Sequence, residues 1–175
     1  KLCIKEPFMI TPFVGEKSVI NGKSFGLSSA SYDVRIAHDL TLGPNPVHLL
    51  SDMIRRNRQY TAEAVLELWR AKMMNYPASS ALAYTMEDFN IPDNVVGYVC
   101  DKSTYARVFV SAFNTLFDPG FKGNATLELV NLGGEVIYIK EGDPICQFTF
   151  HWLDEPTEAP YRGKYFGQSK GAHGP

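Results

Sequence analysis

A run of six short segments, rich in β-branched and aromatic residues, occupies the chain between Pro77 and Leu153. Such residues favour extended strands, and the turn sequences IPDN, DPG, LGG and KEGDP separate them. Short strands at this spacing are typical of a β-barrel or a jelly roll. We therefore predict a mainly β fold. The six segments are SSALAYTMEDF (79–89), NVVGYVC (94–100), ARVFVSAF (106–113), NATLELVNL (124–132), EVIYIK (135–140) and ICQFTFHWL (145–153).

A different pattern, typical of helices, interrupts the β-type sequence at about residues 47–76. In the stretch TAEAVLELWRAKMM, Val65, Leu68 and Met73 recur at helical spacing, and Thr61 is suited to cap the start of a helix. Upstream, the stretch SDMIRRNR predicts another helical turn. We interpret this region as a helical insertion in the β fold.

Length and composition place the chain among single-domain proteins. With 175 residues it suits one domain that buries about 70% of its unfolded surface without disulfides or a metal. Its net charge of −2 provides no basic field that would attract nucleic acid or an anionic membrane. No apolar run approaches the ~20 residues that span a bilayer. Three cysteines, an odd number and far apart, favour a reducing compartment, so we expect a cytoplasmic protein.

The last stretch, residues 159–175, is rich in Gly and Pro, with basic and aromatic residues interleaved. It has no periodicity that would anchor it in a core. Taken by itself, this composition predicts a flexible C-terminal tail.

Glu128 is the most informative acidic residue, because it lies in the strand-like stretch NATLELV. Strand alternation places Thr126, Glu128 and Val130 on one face and Leu127 and Leu129 on the other. A partly desolvated carboxylate in this position is suited to take and return a proton near neutral pH. The alternative is an exposed Glu on the wet face of an antiparallel sheet, which is the commoner situation.

The stretch DKSTYAR, residues 101–107, combines a Lys, two hydroxyls and an Arg directly after an apolar segment. If it forms a helical turn, its free N–H groups and the Ser103 and Thr104 hydroxyls could hold a phosphate, with Lys102 and Arg107 supplying positive charge. The alternative is a capped turn with solvated charges.

Metal-dependent chemistry has little support in the sequence. Zinc-dependent base deaminases need an H-x-E and a P-C-x-x-C motif, and none of the four histidines is paired in this way with a cysteine. A Cys–His nucleophilic pair stays open, although no local context favours one. The chain also contains no P-loop and no G-x-G-x-x-G motif.

In this order, these segments resemble the dCTP deaminase and dUTPase superfamily, and more closely its deaminase branch, including a divergent type associated with phages and some bacteria. The resemblance implies a distorted jelly roll or β-barrel of the dUTPase-like type, with the helical insertion at about 47–76 and a C-terminal lid at about 159–175. The matching segments together cover more than a third of the chain, in collinear order. The matching segments are SASYDVRI (29–36), ALAYTMEDFNIPDNVVGYVCDKSTYAR (81–107), FDPGFKGNATLELVN (117–131), GDPICQ (142–147) and APYRGKYFGQ (159–168).

The resemblance implies a zinc-free deamination in which Glu128 is the general base for a water that attacks C4 of cytosine. Ser103 would orient that water, and Arg107 would stabilise Glu128 and the tetrahedral intermediate. Asp118 corresponds to the aspartate that dUTPases use in a similar D-x-x-x-x-G motif, whereas plain dUTPases usually have an apolar residue in place of Glu128. That difference favours deamination. The resemblance also implies substrate-binding roles for Lys102, Thr104, Asn114, Gln147, Tyr161, Lys164, Tyr165 and Gln168.

Further expectations follow from the same resemblance. Mg²⁺ would be carried by the nucleotide triphosphate, without zinc and without a protein cage, and the tail would close over the nucleotide. The protein would form a homotrimer with sites shared between subunits, in a bacterial cell or a phage-infected host. Its partner would be a deoxycytidine or deoxyuridine nucleotide, and neither nucleic acid nor a membrane.

Three functions stay open at this point. The first is a dCTP deaminase that makes dUTP and ammonia, with or without a second step to dUMP and pyrophosphate directed by Asp118. The second is a dUTPase-type diphosphatase in which Glu128 is a bystander. The third is a non-catalytic nucleotide-binding or regulatory protein that uses the helical insertion.

Overall fold

The computed structural model describes residues 8–174, and within them the chain forms twelve strands and three helices. The predicted mainly β fold is confirmed. The strands are β1 (Ile10–Thr11), β2 (Lys17–Ile20), β3 (Lys23–Leu27), β4 (Tyr32–Arg35), β5 (Leu40–Leu42), β6 (Ser80–Asn90), β7 (Val95–Asp101), β8 (Val110–Ala112), β9 (Leu116–Phe117), β10 (Lys122–Asn131), β11 (Ile137–Ile139) and β12 (Pro144–Trp152). The helices are α1 (Pro46–Arg56), α2 (Ala62–Met73) and α3 (Ser103–Ala106).

The strands form two larger antiparallel sheets and one two-stranded ribbon. The order in the four-stranded sheet is β1-β6-β10-β8, and the order in the six-stranded sheet is β2-β3-β4-β12-β7-β9. The ribbon pairs β11 with β5. The two larger sheets pack face to face around one core, as in a jelly roll.

The core contains side chains from both large sheets. Leu127 of β10 and Phe89 of β6 are buried in the same cluster as Val34 of β4 and Phe148 of β12. The rings of Phe89 and Phe148 stack with centroids 4.7 Å apart across the interface of the sheets. This packing fixes which face of β10 is buried, and so which face is left for a site.

The segment predicted as a strand at 106–113 is a strand over Val110–Ala112 alone. Its first residues continue the turn of α3, since the N–H groups of Val108 and Phe109 donate to the carbonyls of Tyr105 and Ala106. Phe109 then adopts a positive φ of 62° before the strand begins. The strand prediction was therefore wrong for the first four residues of this segment.

The helical insertion is a pair of capped helices. The Asn45 side chain accepts hydrogen bonds from the N–H groups of Val47 and His48, so α1 begins at Pro46 and is longer than the single turn predicted from SDMIRRNR. Thr61 caps α2, as predicted, by accepting from the N–H of Ala64.

Two contacts attach the helices to each other and to the sheet. The Trp69 indole of α2 donates to the Pro46 carbonyl at 3.0 Å. The backbone N–H of Asn45 donates to the Gly133 carbonyl at 2.7 Å, which ties the start of α1 to the turn after β10. None of the helices within residues 8–174 combines the length and the apolar character needed to cross a membrane.

The tail lies against β10 and the turn before it. Gln168 forms an isolated parallel bridge with Gly123, and the N–H of Tyr161 donates to the Pro119 carbonyl at 2.8 Å. Gly123 has a positive φ of 117°, and a Cβ there would lie 2.4 Å from the carbonyl oxygen of Gln168. A glycine is therefore required where the tail crosses the strand. The predicted flexibility of the tail stays a prediction.

Candidate active site

A cleft of about 520 Å³ opens between β10, the turn around Asp118 and the tail. Its wall is largely apolar and contains two carboxylates, those of Asp118 and Glu128. Two carboxylates in one apolar cleft are a typical arrangement for proton transfer. The cleft is lined by Leu82, Thr115, Leu116, Phe117, Asp118, Phe121, Thr126, Glu128, Tyr161, Tyr165, Gln168, His173 and Gly174.

Strand alternation in β10 places Glu128 in this cleft. Leu127 and Leu129 are each 1% exposed in the core, whereas Thr126 and Glu128 are half-buried on the opposite face. The backbone of Glu128 is held on both sides, since it pairs with Leu82 of β6 and its carbonyl accepts from the N–H of Phe113 at 3.0 Å. The predicted alternation is confirmed, and Glu128 faces an apolar cleft rather than an open wet surface.

Asp118 reaches the same cleft from the tight turn that follows β9. The Asp118 carbonyl accepts from the N–H of Phe121, and Gly120 adopts a φ of 88° in the turn. The Asp118 side chain is exposed. The turn thus brings a solvated carboxylate and a half-buried one to one cavity.

Three of the predicted tail residues line the cleft, namely Tyr161, Tyr165 and Gln168. The Tyr161 hydroxyl accepts from the N–H of Tyr165 at 3.1 Å, which folds this part of the tail into a compact turn. Lys164 is exposed outside the cleft, with its ammonium 5.4 Å from the centre of the Tyr165 ring. The tail therefore covers the strand of its own chain.

The predicted phosphate-binding turn is formed by α3, but it lies elsewhere on this chain. Ser103, Thr104 and Arg107 are exposed, and within residues 8–174 none of them lines the cleft of Glu128. Arg107 instead lines a second cavity of about 330 Å³, which it shares with His48 of α1 and other residues. A single chain thus brings the predicted catalytic residues together in two groups.

Lys102 is placed differently from its neighbours in the turn, because its side chain is buried. Its ammonium lies 2.5 Å from a carboxylate oxygen of Asp33 and 3.4 Å from the Ser24 hydroxyl. Lys102 and Asp33 are 6% and 5% exposed. The ammonium is thus neutralised inside the protein, while Ser103 and Arg107 point outwards.

Gln147 and Asn114 also lie outside the cleft of Glu128. The Gln147 amide of β12 accepts from the Ser31 hydroxyl and donates to the Asp101 carbonyl of β7, both at 2.9 Å. It thus links β12 to β7 and to the turn before β4. Asn114 is exposed. With its amide group in the flipped orientation, the nitrogen donates to the carbonyl of Val99 at 3.1 Å.

Besides the Lys102–Asp33 pair, two further buried ionic networks were not predicted from the sequence. In the first, Arg35 donates two hydrogen bonds to the fully buried Glu87, from its backbone N–H and from Nε. Burial raises the pKa of Glu87, and the hydrogen bonds from Arg35 offset part of that rise. In the sequence, Arg35 and Glu87 are each a charged residue inside a strand-like segment. This pattern identifies a candidate for a buried ion pair but not its partner.

The second network surrounds Asp143, in the turn before β12. Burial by itself would raise the pKa of Asp143, but hydrogen bonds from Asn21, Lys23, the Lys140 backbone and Tyr105 lower it below its usual value. Burial also raises the pKa of the Tyr105 hydroxyl, and the Asp143 charge raises it further. A charged carboxylate and a neutral phenol therefore persist in this network at neutral pH.

Over residues 8–174, no group of three or more His, Cys, Asp and Glu side chains could hold a metal ion. Cys100 and Cys146 are free thiols, and burial raises the pKa of the Cys146 thiol well above its usual value. Cys3 lies outside the described residues.

Comparison with known proteins identifies the family of the chain. A family model described as dCTP deaminase-like matches residues 13–153. The chain belongs to the dCTP deaminase-like family. The dCTP deaminase of Campylobacter curvus is 34% identical over 166 residues, which are 93% of this chain and 87% of the relative. The dCTP deaminase of Wolbachia sp. subsp. Brugia malayi is 33% identical over 163 residues, covering 91% and 86%.

Solved structures confirm the dUTPase-like fold. The dUTPase of Staphylococcus bacteriophage 80alpha has a TM-score of 0.52 at 13% identity, and the match covers 88% of this chain and 95% of the other. The dUTPase from phage phi11 of S. aureus has a TM-score of 0.51 at 14% identity, with the same coverage. This chain thus shares its architecture with these two dUTPases.

Proposed function

We propose that this protein hydrolyses dCTP to dUTP and ammonia by a zinc-free mechanism. The observation that carries the proposal is Glu128, a half-buried carboxylate aimed into an apolar cleft from a strand whose neighbouring side chains are buried leucines. Membership of the dCTP deaminase-like family supports the same reaction.

In this reaction Glu128 acts as the general base. It takes a proton from a water that attacks C4 of cytosine, and it returns a proton to the amino group so that the C–N bond breaks and ammonia leaves. The apolar wall formed by Leu116, Phe117 and Phe121 keeps other water away from the ring. Glu128 needs a second group that orients the water, and that role falls to Ser103.

Because Ser103 and Arg107 are exposed away from the cleft of their own chain, we assign them to the cleft of a neighbouring subunit. The homotrimer expected from the family resemblance would bring α3 of one subunit to β10 of another. Exposed apolar side chains directly after α3 support a contact surface there, since Val108, Phe109 and Phe113 are 45%, 63% and 59% exposed. Thr104 would then contact the phosphates together with Arg107.

Mg²⁺ would enter this site on the phosphate oxygens. The triphosphate would carry the ion, which would keep most of its waters. A dUTPase structure from phage phi11 is described as coordinating a structural Mg(II) ion. The bound ion would neutralise charge on the phosphates, and Asp118 and the tail residues would line the cleft that receives the nucleotide. The bacterial relatives support a cytoplasmic location in a bacterial or phage-infected cell.

A second candidate function is favoured by Asp118, which lines the same cleft as Glu128. It could direct a water at the α-phosphate of dUTP and so produce dUMP and pyrophosphate. The protein would then be bifunctional, or a diphosphatase if Glu128 takes no part.

The test is a product assay with purified protein, Mg²⁺ and either dCTP or dUTP. We expect ammonia from dCTP, and pyrophosphate from either substrate shows the second activity. Asp118→Asn should remove pyrophosphate production and spare ammonia release. Nucleotide binding without either product would identify a non-catalytic binding protein and overturn the proposal.

A further inference from the structure

Helix α3 is too short to hold its own orientation. It has four residues, and within the described chain its N-cap residue Lys102 makes no capping hydrogen bond through its side chain. One isolated turn of helix is unstable because nucleation costs more than its few hydrogen bonds return. The orientation of Ser103 and Arg107 must therefore come from contacts with the rest of the protein.

The first such contact is the buried pair between Lys102 and Asp33. The ammonium and the carboxylate are 2.5 Å apart, and the Ser24 hydroxyl lies 3.4 Å from the same ammonium. Asp33 belongs to β4, in the middle of the six-stranded sheet. Lys102 thus joins the start of α3 to the centre of that sheet.

The second contact is made by Tyr105, the buried residue of α3. Its hydroxyl donates to Asp143 at 3.0 Å, and the ammonium of Lys23 lies 2.7 Å from the same carboxylate and 5.3 Å from the centre of the Tyr105 ring. Asn21 donates to the other carboxylate oxygen at 3.0 Å. The Tyr105 side chain is therefore fixed by a hydrogen bond from its hydroxyl and by an ammonium over its ring.

Both contacts meet at the same hairpin. Lys23 and Ser24 are adjacent at the start of β3, just after the turn that joins it to β2. One of them supports Asp143 beneath Tyr105, and the other supports Lys102. The hairpin thus lies under α3, while Ser103 and Arg107 are exposed on the outer side.

We propose that Lys102 and Tyr105 are positioning residues, which fix α3 on the β2–β3 hairpin so that Ser103 and Arg107 are presented for catalysis. This inference rests on the proposed function of α3. It replaces the phosphate-binding role expected for Lys102, because reaching a phosphate would require its ammonium to leave Asp33 as an uncompensated buried charge.

Three variants test the proposal in the full chain. Tyr105→Phe removes one hydroxyl and leaves Asp143 with Lys23 and Asn21, so the fold is retained. We expect its turnover of saturating dCTP to fall between about 10- and 100-fold, as small displacements of a catalytic group do. Asp33→Asn and Lys102→Met should also lower turnover. A double variant with both changes should have a turnover no lower than that of the less active single variant, because these three proteins all lack the same Lys102–Asp33 interaction.

The matched control is Glu87→Gln, which weakens another buried pair, the one between Glu87 of β6 and Arg35 of β4. This variant should lower the thermal midpoint as much as the α3 variants do, yet keep wild-type turnover per folded molecule. Lys102→Arg should restore part of the turnover lost in Lys102→Met, since a guanidinium can still pair with Asp33.

The opposite pattern would overturn the proposal. It consists of wild-type turnover in Tyr105→Phe and Asp33→Asn, together with a Lys102→Met variant that binds dCTP more weakly but deoxycytidine normally. That result would make Lys102 a phosphate ligand. If the wild-type protein binds dCTP without releasing ammonia, the proposed function fails. The positioning role is then decided by the dCTP affinities of Tyr105→Phe and Asp33→Asn, which must fall if α3 has moved and stay unchanged if it has not.

Discussion

The cleft of Glu128 and the turn of α3 position their functional side chains in different ways. Glu128 is aimed by the period of its own strand, because Leu127 and Leu129 on either side are buried in the core. Ser103 and Arg107 are aimed by contacts between distant segments, through the buried partners of Lys102 and Tyr105. A strand can thus aim a side chain by its local pattern alone, whereas a single helical turn needs tertiary support.

The largest effect should come from changing the carboxylate that the strand positions. Glu128→Gln keeps the shape and the strand pairing but cannot accept a proton, so ammonia release should fall by a factor of about 10²–10⁴. The dissociation constant for dCTP should change little, as measured by calorimetry. The control is Glu67→Gln, on the exposed face of α2. Full deamination by Glu128→Gln would show that Glu128 is not the general base.

The next effect concerns the group that the turn positions. Arg107→Ala should lower turnover about 10²–10³-fold, the loss typical of a group that stabilises charge in the transition state. Mixing this variant with Glu128→Gln, after dissociation and reassembly, tests whether the two groups meet between subunits.

Random reassembly into a cyclic trimer would pair an intact Glu128 with an intact Arg107 at about a quarter of the sites. Ammonia release should therefore recover to about a quarter of the wild-type rate. No recovery in mixed trimers, confirmed as mixed by mass spectrometry, would place both groups in one subunit and contradict the difference drawn between the two regions.

A smaller effect is expected from the tail, which covers the cleft but contains no residue with a proposed role in proton transfer. Ending the chain after Pro160 removes Tyr161, Tyr165 and Gln168 from the cleft wall, so KM for dCTP should rise about tenfold, the loss of roughly one or two hydrogen bonds. Lys170→Met is the control within the tail. Unchanged KM and unchanged kcat in the shortened protein would show that the tail is no lid.

The smallest effect concerns the support under α3 and appears as a pH dependence of stability. The pKa of Asp143 is lowered in the folded state by its hydrogen bonds, against the effect of burial. Its contribution is therefore present above the unfolded carboxyl pKa and is lost as pH falls through the folded value.

Asp143→Asn should cost about 2 kcal/mol at neutral pH, as for a hydrogen bond to a charged group. The thermal midpoint of this variant should then fall less than that of the wild type between about pH 5 and pH 3. If the thermal midpoints of the two proteins fell equally with pH, the charge of Asp143 would make no contribution to stability.

The sequence predicted much of the fold because its signals are local. The alternation around Glu128, the Thr61 cap and the turn before Glu128 depend on residues a few positions apart, and the structure contains all of them. The strand predicted through Val108 and Phe109 was wrong, because the hydrogen bonds of the preceding helical turn continue into these β-type residues.

The candidate site was predictable by residue type and by family resemblance, but not by grouping. Glu128, Asp118 and three tail residues meet in one cleft, while Ser103 and Arg107 lie on another surface of the same chain. No spacing in the sequence indicates that Lys102 is buried against Asp33, since 69 positions separate the two residues.

By itself the sequence determined which elements form, which face of β10 carries a carboxylate, and which family the chain resembles. The tertiary structure decided that Lys102, the N-cap residue of α3, points inwards, that Tyr105 donates to Asp143, and that the tail crosses β10 at Gly123. The physical reason is the range of the interactions. Backbone geometry and side-chain periodicity act over a few residues, whereas a buried charge is stable only beside a partner that the fold of the whole chain brings to it.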